Sequence, residues 1–193
     1  MDVKQIYFVR HGNTGFSGRY IGTSDVPITK DGRSVVLATK QRLRSIAFDA
    51  IFCSPMLRCR QTLELLDRKE NVAFSTLLTE IDFGRWEKKS FAEIVKDDAE
   101  LVDSWVMEPE NFVFPEGESY HLFTRRIHDF YTEIKGIDAE NVLVITHGGV
   151  IRHLLCMFLG IPEKNYLLFD VQPGQVTAIR LHDQGGVLTG LNF

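Results

Sequence analysis

Two runs of β-forming residues, far apart in the chain, end in the same way. Ile6-Tyr7-Phe8-Val9 stops at Arg10-His11-Gly12, and Asn141-Val142-Leu143-Val144-Ile145-Thr146 stops at His147-Gly148-Gly149. Short apolar runs bounded by turn residues read as strands buried on both faces, the kind found in parallel sheets covered by helices. In such sheets ligands bind outside the carboxyl ends of the strands. Strands ending in this way would deliver an arginine and imidazoles to the rim of a pocket. A single Arg-His pair could equally be a solvated strand end, and the second strand ending in His-Gly counts against that reading.

Between these strands the chain alternates. A helix starts near Thr29, with Val36, Leu43, Ile46 and Ala47 on one face, and Asp49 to Cys53 forms a second strand. Ser54-Pro55 has the form of an N-cap hydroxyl and a proline at the first helical position. Such a helix start presents unpaired amides that suit an anion. Val72 to Phe74 is a short strand, and Ser90 with Glu93 has the spacing of a capping box for a helix running, with a break, through Trp105. Another helix runs from Ser119 to about Lys135 with Phe123, Ile127, Phe130 and Ile134 as its buried stripe. Tyr166 to Val171 and Val176 to His182 read as strands, and Asp183 to Gly186 as a turn into Val187 to Leu191. This order predicts an α/β fold: a three-layer α/β/α sandwich with a mixed, mostly parallel central sheet.

At 193 residues the chain suits a single domain, 1–193, able to bury a substantial core. A net charge of −4 argues against broad nucleic-acid binding, which needs many cations on phosphates. It leaves room for a small phosphorylated metabolite. Three cysteines, an odd number without framework spacing, suggest reduced thiols in a cytoplasmic protein. The most apolar helix candidate, Val150 to Leu159, carries Arg152 and His153 and is too short to span a bilayer, so no membrane partner is expected. Oligomeric state is left open.

Arg10-His11-Gly12 after the first strand, Asp25-Val26-Pro27-Ile28-Thr29, and Ser54-Pro55-Met56-Leu57-Arg58-Cys59-Arg60-Gln61-Thr62 come in order. Glu80-Ile81-Asp82-Phe83-Gly84-Arg85-Trp86-Glu87, Gly117-Glu118-Ser119 and His147-Gly148-Gly149 follow. Together these blocks resemble the histidine phosphatase, or phosphoglycerate mutase-like, superfamily. The resemblance implies a metal-independent phosphomonoesterase without a cofactor, in which His11 is transiently phosphorylated. It implies that Arg10, Arg58 and His147, with Gly148 and Thr14, hold the phosphoryl group, and that Glu80 is the acid. Within the family, the compact length and the blocks around Trp86 and Gly117 resemble bacterial α-ribazole phosphatases, which act on α-ribazole 5′-phosphate in cobalamin assembly.

The residues suit this chemistry. Phosphoryl transfer needs in-line positioning and positive charge on the equatorial oxygens, and a histidine nucleophile can split it into two steps. Guanidinium forks match phosphate oxygens better than lysine does. A protonated His147 would add another charge-assisted bond. Asp82, Glu87 and Glu118 compete with Glu80 as the acid, Glu118 being placed to cap or pair. Arg60 reads as solvated. His121 and His128, two helical turns apart, lack further ligands for a metal. A cysteine mechanism would need a Cys-x5-Arg loop, and Cys53 stands one residue too close to Arg58. Departures from the family lie at Asn13, where glutamate is common, and at Ser17, where asparagine is common. Substrate choice is assigned to Trp86, Trp105, Phe112 and Phe114. The readings that stay open are a phosphoglycerate mutase-type transferase and a phosphate-binding module without turnover.

Overall fold

The computed structural model describes residues 3–193. Six strands form one sheet in the order β3-β2-β4-β1-β5-β6. They are β1 (Lys4–Arg10), β2 (Ala50–Cys53), β3 (Val72–Phe74), β4 (Asn141–Thr146), β5 (Val176–His182) and β6 (Gly185–Leu191). The first four are mutually parallel, while β5 runs antiparallel to both β1 and β6. The helices are α1 (Lys30–Leu43), α2 (Leu57–Leu66), α3 (Phe91–Met107), α4 (Tyr120–Gly136) and α5 (Gly148–Leu159).

The side-chain period of two divides the strands between two cores. Ile6 and Phe8 of β1, with Val142 and Val144 of β4, face the larger core beneath α3, α4 and α5. Val9, Leu143 and Ile145 face the smaller core beneath α1 and α2. Helices therefore cover both faces, as the alternation of elements predicts. Because α1 follows β1 on one face and α5 follows β4 on the other, the neighbouring strands β1 and β4 open a crevice at their carboxyl ends.

Local signals placed most helix boundaries. Thr29 caps α1 through its hydroxyl, Ser119 caps α4, and Ser90 and Glu93 form the full capping box of α3, which is kinked at Asp98. Phe123, Ile127, Phe130 and Ile134 are buried as their spacing predicts. Three expectations are corrected. Helix α1 ends at Leu43, so Ile46 and Ala47 lie beyond it. Helix α2 begins at Leu57, not at Ser54-Pro55, because the Ser54 hydroxyl turns inward to His147 Nε2 (2.9 Å) and Asp25 Oδ1 instead accepts from Leu57 N (2.6 Å). Tyr166 to Val171 is no strand: a 3₁₀ turn spans Glu163–Leu168. Carbonyls of the segment after it accept from arginine side chains, Phe169 O from Arg152 Nε (2.8 Å) and Val171 O from Arg10 Nη1 (2.7 Å).

Candidate active site

The register of β1 against β4 sets Arg10 opposite Thr146, and His11 N donates to Thr146 O (2.9 Å). The next residue on each strand is a histidine, and the His11 and His147 ring centroids lie 5.1 Å apart. His11 Nδ1 is 2.9 Å from the carbonyl of Gly12. A carbonyl only accepts, so Nδ1 carries the proton and Nε2 keeps its lone pair. His147 is fixed in the opposite sense. Arg58 Nε, which only donates, meets its Nδ1 at 3.2 Å, leaving the proton on Nε2 toward Ser54 Oγ.

Arg58 is fully buried. Beyond its bond to His147, it donates from Nη1 to Ser24 O (3.0 Å) and from Nη2 to Gly22 O (2.7 Å). The Asp25 block thus lies against the start of α2, also tied there by Ile28 N to Gln61 Oε1 (2.9 Å). The α2 amide at Leu57 is consequently spent on Asp25 rather than left for an anion. Thr62, which no sequence signal marked, accepts from Gly12 N (3.0 Å) and donates to Arg58 O (2.7 Å), joining the two arms of the site. Arg60 is exposed, as expected. Arg10 packs its guanidinium on Gly148, where an added Cβ would lie 3.2 Å from Nε. That Nε is buried with no hydrogen-bond partner among the described residues.

Glu80 reaches the same corner. Its Oε2 accepts from Gly149 N (2.9 Å), two residues past His147. Only glycine permits this approach, since a Cβ on Gly149 would come within 2.4 Å of Glu80 Oε1. Arg126, missed in the sequence, holds the backbone leading to Glu80 by donating to Leu77 O, Thr79 O and Glu80 O (3.0, 2.5 and 3.1 Å). Glu118 pairs with Arg126 at 2.9 Å, as its pairing role predicts. Asp82 Oδ1 accepts from Gly84 N and Thr23 Oγ1. The Glu87 carboxylate is taken up by backbone amides of Gly22, Thr23, Ser24 and Phe83. Thr14 is half-buried in the loop beyond Gly12, and among the described residues no hydrogen bond joins it to the histidines or arginines.

Beside Glu80 and Gly149 opens a cleft of about 310 Å³, walled by Tyr20, Phe83, Trp105, Phe114, Tyr120 and Tyr166, with Arg152 also lining it. Of the four aromatics assigned to substrate choice, Trp105 and Phe114 line the cleft, while Trp86 and Phe112 stack on each other behind it (5.5 Å, 25°). His153 forms part of the wall, stacked on Tyr166. Its Nδ1 donates to Gly149 O (2.8 Å), so Nε2 accepts from the Tyr120 hydroxyl (2.8 Å).

Burial first, then the charge of Arg58, holds both His11 and His147 well below the ordinary imidazole pKa; burial also lowers His153. His147, which would add a charge-assisted bond if protonated, is therefore neutral in this arrangement. All three rings are neutral in the fold and protonate in the unfolded chain below about pH 6.5. The unfolded state then binds more protons, so stability present above that pH is lost as the pH falls. Between its unfolded and folded values a ring contributes a limiting slope of about 1.4 kcal/mol per pH unit. His11 and His147, both held well below the ordinary range, contribute it most fully, and His153 acts in the same direction. Denaturant midpoints should be flat from pH 8 to 7 and drop steeply from 6.5 to 5. A flat midpoint throughout would mean that the rings protonate within the fold.

The profile of the histidine phosphatase superfamily (branch 1) matches residues 6–193. The chain belongs to this family. It is 31% identical over 193 residues to the adenosylcobalamin/α-ribazole phosphatase of Salmonella typhimurium, covering 97% of this chain and 96% of that one. Identity to phosphoserine phosphatase 1 of Hydrogenobacter thermophilus is 26%, over 98% and 92% of the two chains. The crystal structure of the α-ribazole phosphatase from Shigella flexneri superposes with a TM-score of 0.91 at 27% identity, covering 98% and 96%. The family match together with phosphatase-named relatives over nearly the whole chain supports a phosphatase, and the mixed, mostly parallel sheet is the histidine phosphatase fold. Of the residues that the family resemblance singled out, His11, His147, Arg10, Arg58, Gly148 and Glu80 meet at the carboxyl ends of β1 and β4, and Thr14 makes no hydrogen bond to them among the described residues. Among the described residues no helix is long and apolar enough to cross a membrane.

Proposed function

We propose that the protein hydrolyses a small phosphate monoester in two in-line steps through phosphorylation of His11 Nε2. The observation that carries this reading is the Nδ1 contact of His11 with Gly12 O, which leaves Nε2 unprotonated beside the buried Arg58 and the half-buried Arg10. The depressed pKa keeps that nitrogen nucleophilic at neutral pH. Arg10 and Arg58 take the equatorial oxygens. A phosphoryl dianion beside His147 favours its protonated form, turning Nδ1 from an acceptor for Arg58 into a donor to phosphate. Glu80 protonates the leaving oxygen and then draws a proton from the water that cleaves the phosphohistidine.

The substrate assigned is α-ribazole 5′-phosphate. Supporting it are the relatives named for that activity and the ring-walled cleft beside Glu80, which would take the flat base carried by the departing sugar alkoxide. Purified protein assayed against α-ribazole 5′-phosphate, phosphoserine and 3-phosphoglycerate should give the highest kcat/KM with the first. A preference for phosphoserine would transfer the assignment to that substrate, and phosphate shuttling on 3-phosphoglycerate would make the protein a mutase.

The reading also places the positive charge of the transition state on arginine side chains, where other phosphoryl-transfer enzymes use divalent cations. Activity should accordingly survive exhaustive chelation, and vanadate should inhibit as a trigonal-bipyramidal mimic. Loss on chelation with recovery on adding Mg²⁺ would contradict the charge assignment.

A further inference from the structure

We propose that Glu87 is a positioning residue that aims Arg58 at the phosphoryl group through the backbone of Gly22, Thr23 and Ser24. The proposal rests on the reading of Arg58 as a phosphate ligand. Glu87 entered as a rival for the acid, yet its carboxylate is occupied. Oε1 accepts from Gly22 N (2.9 Å), Thr23 N (3.0 Å) and Phe83 N (3.2 Å), and Oε2 accepts from Ser24 N (3.1 Å). A carboxylate that accepts from this many amides anchors the backbone that carries them.

What it anchors touches Arg58 directly. The same stretch that gives its amides to Glu87 gives two carbonyls, Gly22 O and Ser24 O, to Nη2 and Nη1 of Arg58 (2.7 and 3.0 Å). While His147 is neutral, Nε is also held by its Nδ1 (3.2 Å); once a bound phosphoryl group protonates His147 that bond is released, and the two loop carbonyls alone keep the guanidinium plane. Of its five N–H donors, one on each Nη nitrogen is left for phosphoryl oxygens. No carboxylate pairs with this buried guanidinium among the described residues, so the loop carbonyls set its direction. The loop has been fitted to this task. Gly22 is buried, and a Cβ there would lie 1.8 Å from Ile81 O and 2.6 Å from Glu87 Oε1. Its far end is held separately by Asp25 on Leu57 N, so loss of Glu87 frees the loop on one side only.

A double-mutant cycle tests the coupling. Phosphorylation by p-nitrophenyl phosphate needs little help from an acid, so it reports on phosphate positioning. Glu87→Ala should lower kcat/KM on this ester, and weaken inhibition by vanadate, by about 10- to 100-fold in the parent. In the Arg58→Ala background the same change should cost less than about threefold. Glu87→Gln keeps the Oε1 contacts and should lose only about 3- to 10-fold, a loss that also vanishes without Arg58. Should the alanine variant fail to fold, the glutamine variant carries the same cycle. Equal losses in both backgrounds, or no loss in the parent background, would overturn the proposal. Failure of the underlying reading looks different: Arg58→Ala alone would then retain parental activity.

Discussion

His11→Ala protein should turn over every phosphate ester more slowly by a factor on the order of 10⁶, the scale seen when a covalent nucleophile is removed. In the parent, rapid quenching during turnover of labelled substrate should trap phosphate on the peptide containing His11. The bond should behave as a phosphoramidate, labile in acid and stable in base. The variant should trap none. Cysteine is the competing nucleophile to exclude, because Cys59 Sγ lies only 3.6 Å from His147 Nε2. Burial pushes the Cys59 thiol up to about 12 and raises Cys53 as well, so thiolate is scarce at neutral pH. Label on either cysteine, or undiminished trapping in His11→Ala, would refute the histidine mechanism.

What the sequence made legible was whatever a short window encodes. The apolar runs of β1 and β4 specify buried parallel strands, and each hands a histidine to the same edge of the sheet. The hydroxyls of Thr29, Ser90 and Ser119 act within their own helix turns, and those boundaries could be read directly. Ser54 misled because its hydroxyl had two possible partners. The one that won, His147, is distant in sequence and arrives only when β2 pairs with β4. Tyr166 to Val171 misled for a similar reason. Its composition favours a strand, but its carbonyls go to Arg152 and Arg10 instead of to a ladder. Arg126, Thr62 and the loop contacts of Glu87 share this character. They act on backbone groups brought near by the fold, and no local spacing announces them. The groups proposed to react directly were thus easier to find than the residues proposed to aim them.

Glu80→Gln separates the proposed acid from its neighbours through the leaving group. An alkoxide needs a proton as the P–O bond breaks, whereas p-nitrophenolate departs without one. A positioned general acid contributes roughly 10²- to 10⁴-fold. Glutamine keeps an acceptor for Gly149 N but has no carboxyl proton to give. The pre-steady-state burst should therefore fall by about 10²- to 10⁴-fold on a sugar or nucleoside phosphate, and far less on p-nitrophenyl phosphate. The burst isolates enzyme phosphorylation from the water-driven second step, in which the same carboxylate serves as base. Asp82→Asn and Glu87→Gln should show no dependence on the leaving group, because Asp82 bonds Thr23 and Gly84 and Glu87 holds the loop beneath Arg58. Equal burst losses on both esters in Glu80→Gln would reduce Glu80 to a residue that shapes the start of α5 through Gly149. A leaving-group-dependent loss in Asp82→Asn would instead make Asp82 the acid.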